Sequence, residues 1–567
     1  MKKPLPIGVD NFEKIITDGY YFVDKTWFIK ELLDNKGEVN LFTRPRRFGK
    51  TLSLSMLRYF FEKGEQDNRY LFQDLKIMEA GEKYLSHLGK YPVISLTLKS
   101  AKQPTFEMAY NILLSNIEKE FIRHSYLLTS ERLSSAIKQD LEDVLNRKAP
   151  KEVYATSLQL LSQSLYQHHS QKVIILIDEY DTPLENAFFG GEAKEKNQEF
   201  YKHMIWFVRS LFESALKTNE ALEFAVVTGC LRITKESIFT GLNNPNVISI
   251  LADEYSEYFG FTQEEVSKML DYFGLKTKES LIKEWYDGYM FGNSEVYNPW
   301  SVVNFVNKLT VNENTLPSPF WSNVSSNSIV KDLIERADSI AKEEIEGLIS
   351  GKTIEKPVRE EITYEDVYNS QDNLWNFLFF TGYLKKVSER MEGGDTRMVT
   401  LSLPNIEVRR IYKDKILSWF EERIAHEDLT ALYQALLDGD ESALTLELNR
   451  ILISSISYYD SVEAFYHGFL LGLLRLMRNV IITSNQESGH GRGDLMIQLR
   501  EPKEFRGIII EFKVTKVFSE LESACAEALS QIEIKDYAAN FRAQGINKIL
   551  KYGITFCGKR CLVKLAK

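Results

Sequence analysis

The stretch LFTRPRRFGKTLSL, residues 41–54, decides the fold of the first part of the chain. It ends like a phosphate-binding loop, G-x-x-x-x-G-K-[ST], but has Arg44 where that pattern requires its first glycine. A β-rich run precedes the GKT, and apolar residues at helical spacing follow it. In this strand–loop–helix order, backbone N–H groups at the helix start can hold phosphates. The stretch therefore predicts a nucleotide site in which an arginine replaces the first glycine.

The polar residues of this loop predict ATP with Mg²⁺ as the ligand. Lys50 would reach the outer phosphates, Thr51 would ligate Mg²⁺, and Gly49 would let the backbone approach closely. Three arginines would add positive charge beside the phosphates: Arg44, Arg46 and Arg47.

A second motif lies further along the chain, at the end of the apolar run VIILID. Asp178, at the end of a buried strand, can hold the Mg²⁺ water shell, and Glu179 can polarise an attacking water. A third run, EFAVVTG, ends in Thr228, where NTPases with an extra strand between loop and acidic strand carry a polar sensor. Arg232 is either a γ-phosphate contact or an ordinary ion-pairing arginine. The combination favours a P-loop NTPase.

The fold class follows from the pattern of apolar runs in the first part of the chain. These runs are VNLFT (39–43), YPVISLTL (91–98), KVIILID (172–178) and LEFAVVTG (222–229). They are apolar almost throughout, as strands covered on both faces must be, and helical patterns separate them. The pattern predicts a parallel α/β sheet. After about residue 250 the pattern becomes helical with polar breaks, and GGD at 393–395 predicts a hairpin turn.

Six segments resemble the bacterial AAA-ATPase-like family, which is related to the signal-transducing STAND NTPases and often carries a C-terminal nuclease-like domain. They are YYFVDKTWFIKELL (20–33), TRPRRFGKT (43–51), IDEYDTPLENA (177–187), TGCLRITKESIFTGLNN (228–244), WYDGYMFG (285–292) and VYNPWSV (296–302). The resemblance covers roughly residues 4–305. It implies that the arginine-rich loop is the usual form, that Asp24 sits near the nucleotide, and that 255–400 forms a helical or winged-helix lid. STAND-like relatives often use hydrolysis slowly, as a reset.

The C-terminal part returns to strand-like runs and contains a second acidic pattern. GRGD at 491–494 is followed by IIIEFKV at 508–514. Glu511 and Lys513 are two residues apart, so both point to the same face of a strand. Asp494 and Glu511 would bind Mg²⁺ or Mn²⁺, and Lys513 would orient the attacking water or stabilise charge on the phosphate.

Together with SNQESGHGRGDL (484–495) and ALSQI (528–532), this pattern resembles the PD-(D/E)XK nuclease superfamily over about 460–567. The resemblance implies that Glu463, on an upstream helix, completes the metal site. It also implies that Gln531 is the glutamine of RecB-like members, although Tyr537 follows by six residues where the motif has four. Two other interpretations stay open: a solvated charged strand, and a nuclease fold used only for binding.

Two histidines, His467 and His490, flank this second site. His490 lies in a glycine-rich loop and is either a DNA contact or a plain loop residue. The cysteines Cys557 and Cys561 stand four apart, but nothing nearby completes a zinc site.

The overall composition bounds the class of protein. A formal net charge of −10 argues against a chain coated in nucleic acid along its whole length, but not against a local basic site. Four cysteines are too few for a disulfide framework and fit a reducing compartment. No signal peptide is evident, and the most apolar stretch, FYHGFLLGLLRLM (465–477), is too short to span a bilayer. The sequence predicts a soluble cytoplasmic protein with no membrane partner.

The sequence thus predicts four regions: a P-loop NTPase domain at 1–250, a helical or winged-helix lid at 251–400, a helical connector at 401–459, and a nuclease-like domain at 460–567. The predicted function is ATP binding and hydrolysis that regulates a Mg²⁺-dependent nuclease acting on nucleic acid. The alternative is an ATP-dependent switch or scaffold whose nuclease fold binds without cleaving. DNA versus RNA as substrate, and assembly into a homo-oligomer, are left open.

Overall fold

A computed structural model describes residues 2–64, 67–189, 194–232, 245–323, 339–360, 370–414, 428–455, 463–475, 477, 479–488, 491–499, 506–515 and 517–566. The chain divides into two compact units, each built from two segments. The first unit comprises Met1–Asn323 and Glu355–Val408, and the second comprises Val324–Ile354 and Arg409–Lys567.

The centre of the first unit is a parallel sheet of five described strands. They are β1 (Val39–Thr43), β2 (Val93–Thr97), β3 (Val173–Asp178), β4 (Leu222–Gly229) and β5 (Asn246–Ile248). The spatial order is β2-β3-β4-β1-β5, and every neighbouring pair is parallel. All residues of β1 and β3 are buried, as their continuous apolar runs require. The predicted α/β class with a parallel sheet is confirmed, and β4 is the extra strand between the loop strand and the acidic strand.

Helices surround this sheet. The described α-helices of the first unit are Phe12–Thr17, Trp27–Asn35, Lys50–Phe61, Glu82–Leu85, Phe106–Arg123, Ser135–Leu145, Lys151–Ala155, Ser157–His169, Thr182–Phe189, Lys194–Leu216, Gln263–Phe273, Glu279–Tyr286, Pro299–Val311 and Gln371–Phe380. Shorter 3₁₀ turns lie at Asn68–Leu71, Lys76–Glu79, Lys99–Ala101, Ser125–Thr129, Lys276–Lys278 and Phe320–Asn323. A helix at 406–414 begins in the first unit and continues into the second.

Sequence signals account for where two of these helices begin. Thr262 and Glu265 form a reciprocal capping box at the start of Gln263–Phe273. Asn298 caps Pro299–Val311 by accepting the Ser301 N–H, and proline occupies the first helical position. Both helices join one apolar cluster with Leu5 from the N-terminal segment. The N-terminal segment is therefore packed against the region that follows the sheet.

The region after residue 250 also contains strands, and of these the sequence pattern indicated only the hairpin that turns at 393–395. β6 (Tyr289–Phe291) and β7 (Ser294–Val296) form a short hairpin. β8 (Ile354–Pro357), β9 (Lys385–Glu392) and β10 (Thr396–Ser402) form a sheet in the order β8-β10-β9. The β9–β10 hairpin turns at Gly393 and Gly394, so the turn predicted from GGD is confirmed.

The second unit is built on a sheet of five described strands in sequential order. They are β11 (Val480–Ser488), β12 (Gly491–Leu499), β13 (Arg506–Val514), β14 (Lys548–Cys557) and β15 (Arg560–Leu565). β13 and β14 pair in parallel, and the other neighbours pair antiparallel. The described helices are Ser339–Ile349, Thr430–Asp438, Glu441–Ser455, Glu463–Arg475, Leu521–Ile534 and Ala539–Ala543, with a 3₁₀ turn at Phe518–Glu520. The chain between β13 and β14 includes Leu521–Ile534, which makes a parallel crossover.

Candidate functional site

The phosphate loop joins β1 to the helix Lys50–Phe61 through a tight turn. Two loop residues have left-handed backbones, Arg47 with φ 68° and Gly49 with φ 87°. Nothing lies within 4 Å of a Cβ built on Gly49, so backbone conformation, and not crowding, favours glycine there. The helix start that follows presents first-turn N–H groups of the kind that bind phosphates.

Lys50 is held by its own loop. Its Nζ donates to the carbonyl oxygens of Arg44 at 2.8 Å and Pro45 at 2.9 Å, and lies 3.8 Å from Cys230 Sγ. The residue is buried. Phosphate oxygens could replace the two carbonyl acceptors, so the ammonium would exchange hydrogen-bond partners on binding and would not lose them.

Asp178 is the centre of a hydrogen-bonded group at the carboxyl end of the sheet. Thr51 Oγ1 donates to Asp178 Oδ2 at 2.7 Å, and Thr228 Oγ1 donates to Oδ1 at 2.6 Å. Asp178 and Thr228 are buried. This hydroxyl–carboxylate pair fits Mg²⁺, because threonine and aspartate oxygens are its usual protein ligands in P-loop enzymes. The structure brings all three of these sequence-predicted residues together.

Glu179 follows Asp178 and has a left-handed backbone, with φ 52°. Such a conformation is strained for a residue with a side chain, and strained residues cluster at functional sites. Burial, and then the adjacent Asp178 charge, raise the pKa of Glu179 above its usual value. Its Oε2 accepts a hydrogen bond from Thr182 Oγ1 at 3.1 Å. A partly buried carboxylate with a raised pKa is suited to accept a proton.

Two of the three loop arginines line the pocket beside the phosphate loop. Arg46 pairs with Glu185 at 2.6 Å. Burial opposes the charge on Arg46, but Glu185 and other nearby acids outweigh it and raise the arginine pKa. The Arg47 guanidinium lies 4.2 Å from the ring centre of Trp300, a cation–π contact.

Arg44 lies apart from the other two arginines, which differs from the expectation that it stands beside the phosphates. Its side chain is fully buried, and its Nη1 donates to the carbonyl oxygens of Thr43 at 3.0 Å and Ile248 at 2.9 Å. The guanidinium carbon lies 5.4 Å from the ring centre of Phe259 and 5.0 Å from that of Phe291. Burial lowers its pKa to about 9. Through these contacts, Arg44 connects the end of β1 to the region 248–291.

A pocket of about 420 Å³ opens between the phosphate loop and an apolar wall. Lys50, Thr51 and Glu179 line its polar side. Apolar residues from two distant segments line the rest, among them Leu5, Val9, Tyr21, Phe261, Met269 and Val303. A polar floor that grades into an apolar wall suits a ligand with charged phosphates at one end and a flat base at the other.

Two other predicted contacts lie outside the lining of this pocket. The Asp24 carboxylate accepts hydrogen bonds from the Thr26 N–H at 2.9 Å and the Lys76 N–H at 2.7 Å, so it fixes backbone turns. Its neighbours Val23 and Lys25 line the pocket. Arg232 is half-buried just beyond β4, and the described residues that line the pocket do not include it.

The second acidic group lies where the β12–β13 ladder ends. The regular pairing runs from Gln498 opposite Gly507 to Leu495 opposite Ile510. Beyond it, side chains replace the backbone acceptors. The Asp494 N–H donates to Glu511 Oε2 at 3.3 Å, and the Phe512 N–H donates to Asp494 Oδ2 at 3.1 Å. The two predicted carboxylates therefore meet at one point.

Glu511 is almost completely buried, and its pKa is raised to about 7 by burial and then by the Asp494 charge. Two carboxylates this close repel each other, and a divalent cation would remove that repulsion. Lys513 Nζ donates to Gln531 Oε1 at 2.7 Å, and Gln531 Nε2 donates to Glu511 Oε1. The donor set fits Mg²⁺ or Mn²⁺, and Gln531 fixes both the acid and the lysine.

Tyr537 reaches the same point despite its unusual spacing. The helix that carries Gln531 ends at Ile534, and Asp536 then takes a left-handed backbone, with φ 52°. This turn brings the Tyr537 hydroxyl within 3.2 Å of Gln531 Nε2, which donates to it. The two additional residues therefore leave the glutamine–tyrosine contact intact.

The remaining predicted residues of the second site are only partly described. Glu463 is the first residue of the helix Glu463–Arg475, and its side chain lies outside the described part of the chain, as does the whole of His490. His467, on the same helix, stacks on Phe512 with ring centres 5.9 Å apart, and burial lowers its pKa. Among the described side chains, no three His, Cys, Asp or Glu residues form a metal-binding group.

Sequence reasoning missed the apolar wall of the first pocket and the role of Trp300. The residues of that wall come from segments at 5–23 and 258–303, far from the loop in sequence. The aromatic density of WYDGYMFG and VYNPW was the available signal, but it could not be assigned to one face without the fold.

Comparisons with known proteins match two regions of the chain. Residues 6–239 match a family model described as a predicted AAA-ATPase, and residues 461–565 match one described as the PD-(D/E)XK nuclease superfamily. The chain is 26% identical over 563 residues to a protein of Azotobacter chroococcum mcd 1, described as an uncharacterized protein in the vnfD 5′ region. That similarity spans 96% of this chain and 95% of the relative. Within the described residues, no helix has the length and apolar character needed to cross a membrane.

Proposed function

We propose that this chain, which joins an AAA-ATPase-like domain to a C-terminal PD-(D/E)XK nuclease-superfamily domain, binds and hydrolyses ATP and uses its nucleotide state to regulate a divalent-metal-dependent nuclease. The observation that carries the nucleotide half is the pair of hydroxyl contacts on Asp178, one of which comes from Thr51 in the pocket lining. The observation that carries the nuclease half is the meeting of Asp494 and Glu511 beyond the end of their ladder.

In the first site, each residue has one task. Lys50 would leave its two carbonyl acceptors for the outer phosphates, and Arg46 and Arg47 would add charge beside them. Thr51 and Asp178 would hold Mg²⁺, which neutralises phosphate charge when bound. Glu179 would accept the proton of the attacking water, and its raised pKa makes it a stronger base than an ordinary glutamate. The apolar wall would hold the base and keep bulk water from the reacting phosphate.

In the second site, the reaction would be hydrolysis of a phosphodiester. Asp494 and Glu511 would hold the divalent cation, which activates water and stabilises phosphate charge when bound. Lys513 would orient that water or stabilise the developing charge. Gln531 accepts a hydrogen bond from Lys513 and donates one to Glu511. It would therefore keep the two side chains in fixed positions relative to each other during the reaction.

The direct experiment incubates the purified full chain with DNA and with RNA, with and without ATP, and with Mg²⁺, Mn²⁺ or chelator. We expect metal-dependent cleavage whose rate changes with ATP. Lys50→Ala should remove the ATP effect, and Asp494→Asn should remove cleavage. Matched controls are Lys148→Ala and Glu533→Gln, which change exposed residues that have no part in either proposed site.

The outcomes distinguish a nuclease domain that cleaves nucleic acid from a nuclease fold that only binds it. Cleavage by the wild type that Asp494→Asn removes supports the proposal. Binding of nucleic acid with no cleavage under any metal or nucleotide condition would favour the alternative, an ATP-dependent scaffold. Cleavage that ATP does not change would retain the nuclease and reject the regulation.

We also propose a cytoplasmic location for the chain. All four cysteines are free thiols, which suits a reducing compartment. Fractionation of cells that express the chain, with a secreted disulfide protein as the comparison, tests this.

A further inference from the structure

Glu407 is a fully buried acid that the proposed chemistry does not use. It lies in the first turn of the helix at 406–414. Its carboxylate accepts hydrogen bonds from Ser301 Oγ, at 3.0 Å to Oε1 and 2.8 Å to Oε2, and from the Trp321 N–H at 2.8 Å. Burying a charged carboxylate costs free energy unless hydrogen bonds compensate it. The contacts to Glu407 therefore fix the positions of Ser301 and Trp321, which donate them.

The donors belong to elements that touch the phosphate loop. Ser301 follows Trp300, whose ring contacts the Arg47 guanidinium at 4.2 Å. Trp321 is fully buried and donates its ring Nε1–H to the carbonyl oxygen of Arg46 at 3.3 Å. Glu407 is therefore linked to Arg46 through Trp321, and to Arg47 through Ser301 and the adjacent Trp300.

Charge as well as contact links Glu407 to the loop. Burial lowers the pKa of Arg47, and the Glu407 carboxylate is the largest influence that opposes this. The loop is also closely packed on this side. A Cβ on Gly382 would lie 2.9 Å from Pro45 Cβ and 3.6 Å from the Trp321 ring, so there is little room for these parts to move independently.

The same residues stand where the chain leaves the first unit. The chain passes between the units after Asn323, after Ile354 and after Val408. Trp321 is two residues before the first passage, and Glu407 is one residue before the last. One hydrogen bond, from the Trp321 N–H to Glu407, therefore ties together the chain ends at two of the three passages.

We infer that Glu407 is a positioning residue that transmits the state of the phosphate loop to the second unit. Phosphate that draws Arg46 and Arg47 toward it would shift Trp321 and Trp300. Glu407 would convert that shift into a movement of the helix at 406–414, which continues into the second unit. The inference rests on the proposed function, because it specifies how nucleotide state would reach the nuclease domain. Coupling of this kind needs an element that both sites bias, and the inference gives that part to the Glu407 group.

The test measures backbone amide hydrogen exchange in the full chain, with and without ATP and Mg²⁺, in the wild type and in Glu407→Gln. In the wild type, ATP should slow exchange in the loop at 46–53 and should also change exchange at 339–354 and 409–414. In Glu407→Gln, the loop should still respond to saturating ATP, and the response at 339–354 and 409–414 should disappear. The ratio of cleavage rates with and without ATP should fall to about one.

Two further variants keep the test decisive. Glu120→Gln changes another buried acid of the first unit, which accepts from the Ser95 N–H and lies outside this group, so it should keep the wild-type response. Ser301→Ala removes one donor and leaves the carboxylate, so it should lose part of the response even if Glu407→Gln does not fold.

The possible failures are distinguishable. Wild-type protein that binds ATP but shows no change in exchange beyond residue 408 would overturn the inference and leave ATP binding standing. A wild-type response that persists in both Glu407→Gln and Ser301→Ala would overturn it as well. Wild-type protein that binds no ATP would reject the proposed function first, and the inference with it.

Discussion

The two acidic pairs of this chain are built in different ways. Asp178 and Glu179 are consecutive at the end of one parallel strand, and two hydroxyls donate to Asp178. Asp494 and Glu511 come from two antiparallel strands, and each accepts a backbone N–H from the other strand. In the first pair neutral donors satisfy the aspartate before any ligand binds. In the second pair the two acids lie close together, and burial and the Asp494 charge raise the pKa of Glu511 to about 7.

This difference indicates which of the two sites depends on a cation for its geometry. The first site also has Lys50 close by, held in place by loop carbonyls, so it is largely preformed. In the second site Lys513 is bound to the Gln531 amide, and the like charges of the acids remain close together. We therefore expect a divalent cation to be required for the geometry of the second site and mainly for the chemistry of the first.

The largest effect should come from Asp494→Asn. The amide keeps an oxygen for the Phe512 N–H but loses the charge that holds a cation, so metal-dependent cleavage should be abolished. The unfolding temperature should be unchanged or raised, because one of two repelling charges is gone. Cleavage assays and thermal unfolding measure the two effects, with exposed Glu533→Gln as control. Wild-type cleavage in Asp494→Asn would mean that the second pair is no metal site.

Glu179→Gln should come next. The variant keeps the shape of the side chain and removes the base, so ATP hydrolysis should slow by roughly 10²- to 10⁴-fold while ATP still binds. Steady-state ATPase rates and calorimetric affinity distinguish the steps, and Glu223→Gln at an exposed position is the control. Equal losses of binding and hydrolysis would assign Glu179 a structural role.

Arg44 stands where the phosphate-loop pattern has its first glycine. Arg44→Gly tests whether the residue at this position contacts phosphate or stabilises the fold. Because Arg44 is buried between Phe259 and Phe291, its removal should destabilise the first unit by about 2–5 kcal/mol, as for other large-to-small core changes. Arg44→Met, which keeps most of the volume, should lose less. The ratio of ATP to ADP affinity should not change. A change in that ratio without loss of stability would return Arg44 to the phosphate site.

Lys50→Ala should weaken ATP binding by roughly 10- to 100-fold, because charge-assisted hydrogen bonds to the outer phosphates are lost. Calorimetry measures the affinity, and exposed Lys148→Ala provides the control. Metal-dependent cleavage without ATP should be unaffected, since Lys50 belongs to the first site alone. Wild-type ATP affinity in Lys50→Ala would contradict the assignment of this loop.

The smallest effect should come from Tyr537→Phe. The variant removes the hydroxyl that accepts from Gln531 and leaves every proposed metal ligand, so cleavage should slow only about 2- to 10-fold. Tyr552→Phe is a matched control, because it also loses one hydrogen bond in the same unit, to the Leu436 carbonyl. Unchanged cleavage in Tyr537→Phe would show that the contact is incidental.

The sequence was sufficient to predict a strand where a buried apolar run leads directly into polar residues of a site. The runs that became β1, β3 and β4 are apolar almost throughout, and the polar groups at their ends are contiguous with them. β11 was missed because its second half, SNQES, is polar and gains its strand character only by pairing with β12. β6 and β7 are three residues each, too short for any periodicity to be detected.

The direction of a side chain was harder to predict than its position. Arg44 stands in the loop as expected, but its guanidinium is drawn inward by the rings of Phe259 and Phe291, which are distant in sequence. Tyr537 seemed misplaced by spacing alone, because the end of its helix at Ile534 and the turn at Asp536 are not visible in a motif. Both depend on tertiary context, which local patterns do not contain.

The order of strands in the first sheet has a consequence for how the chain is made on the ribosome. β1 pairs with β4 and β5, and residues 43 and 222 are 179 positions apart. At a synthesis rate of about 5–20 residues per second, β1 waits roughly 10–40 s for β4 to be synthesised. During that interval an apolar strand lacks the two described neighbours that cover its edges, which is the condition under which nascent chains aggregate. The phosphate loop is encoded early but acquires its supporting sheet late, so a chaperone that shields the nascent first unit would decide the yield of ATP-binding protein.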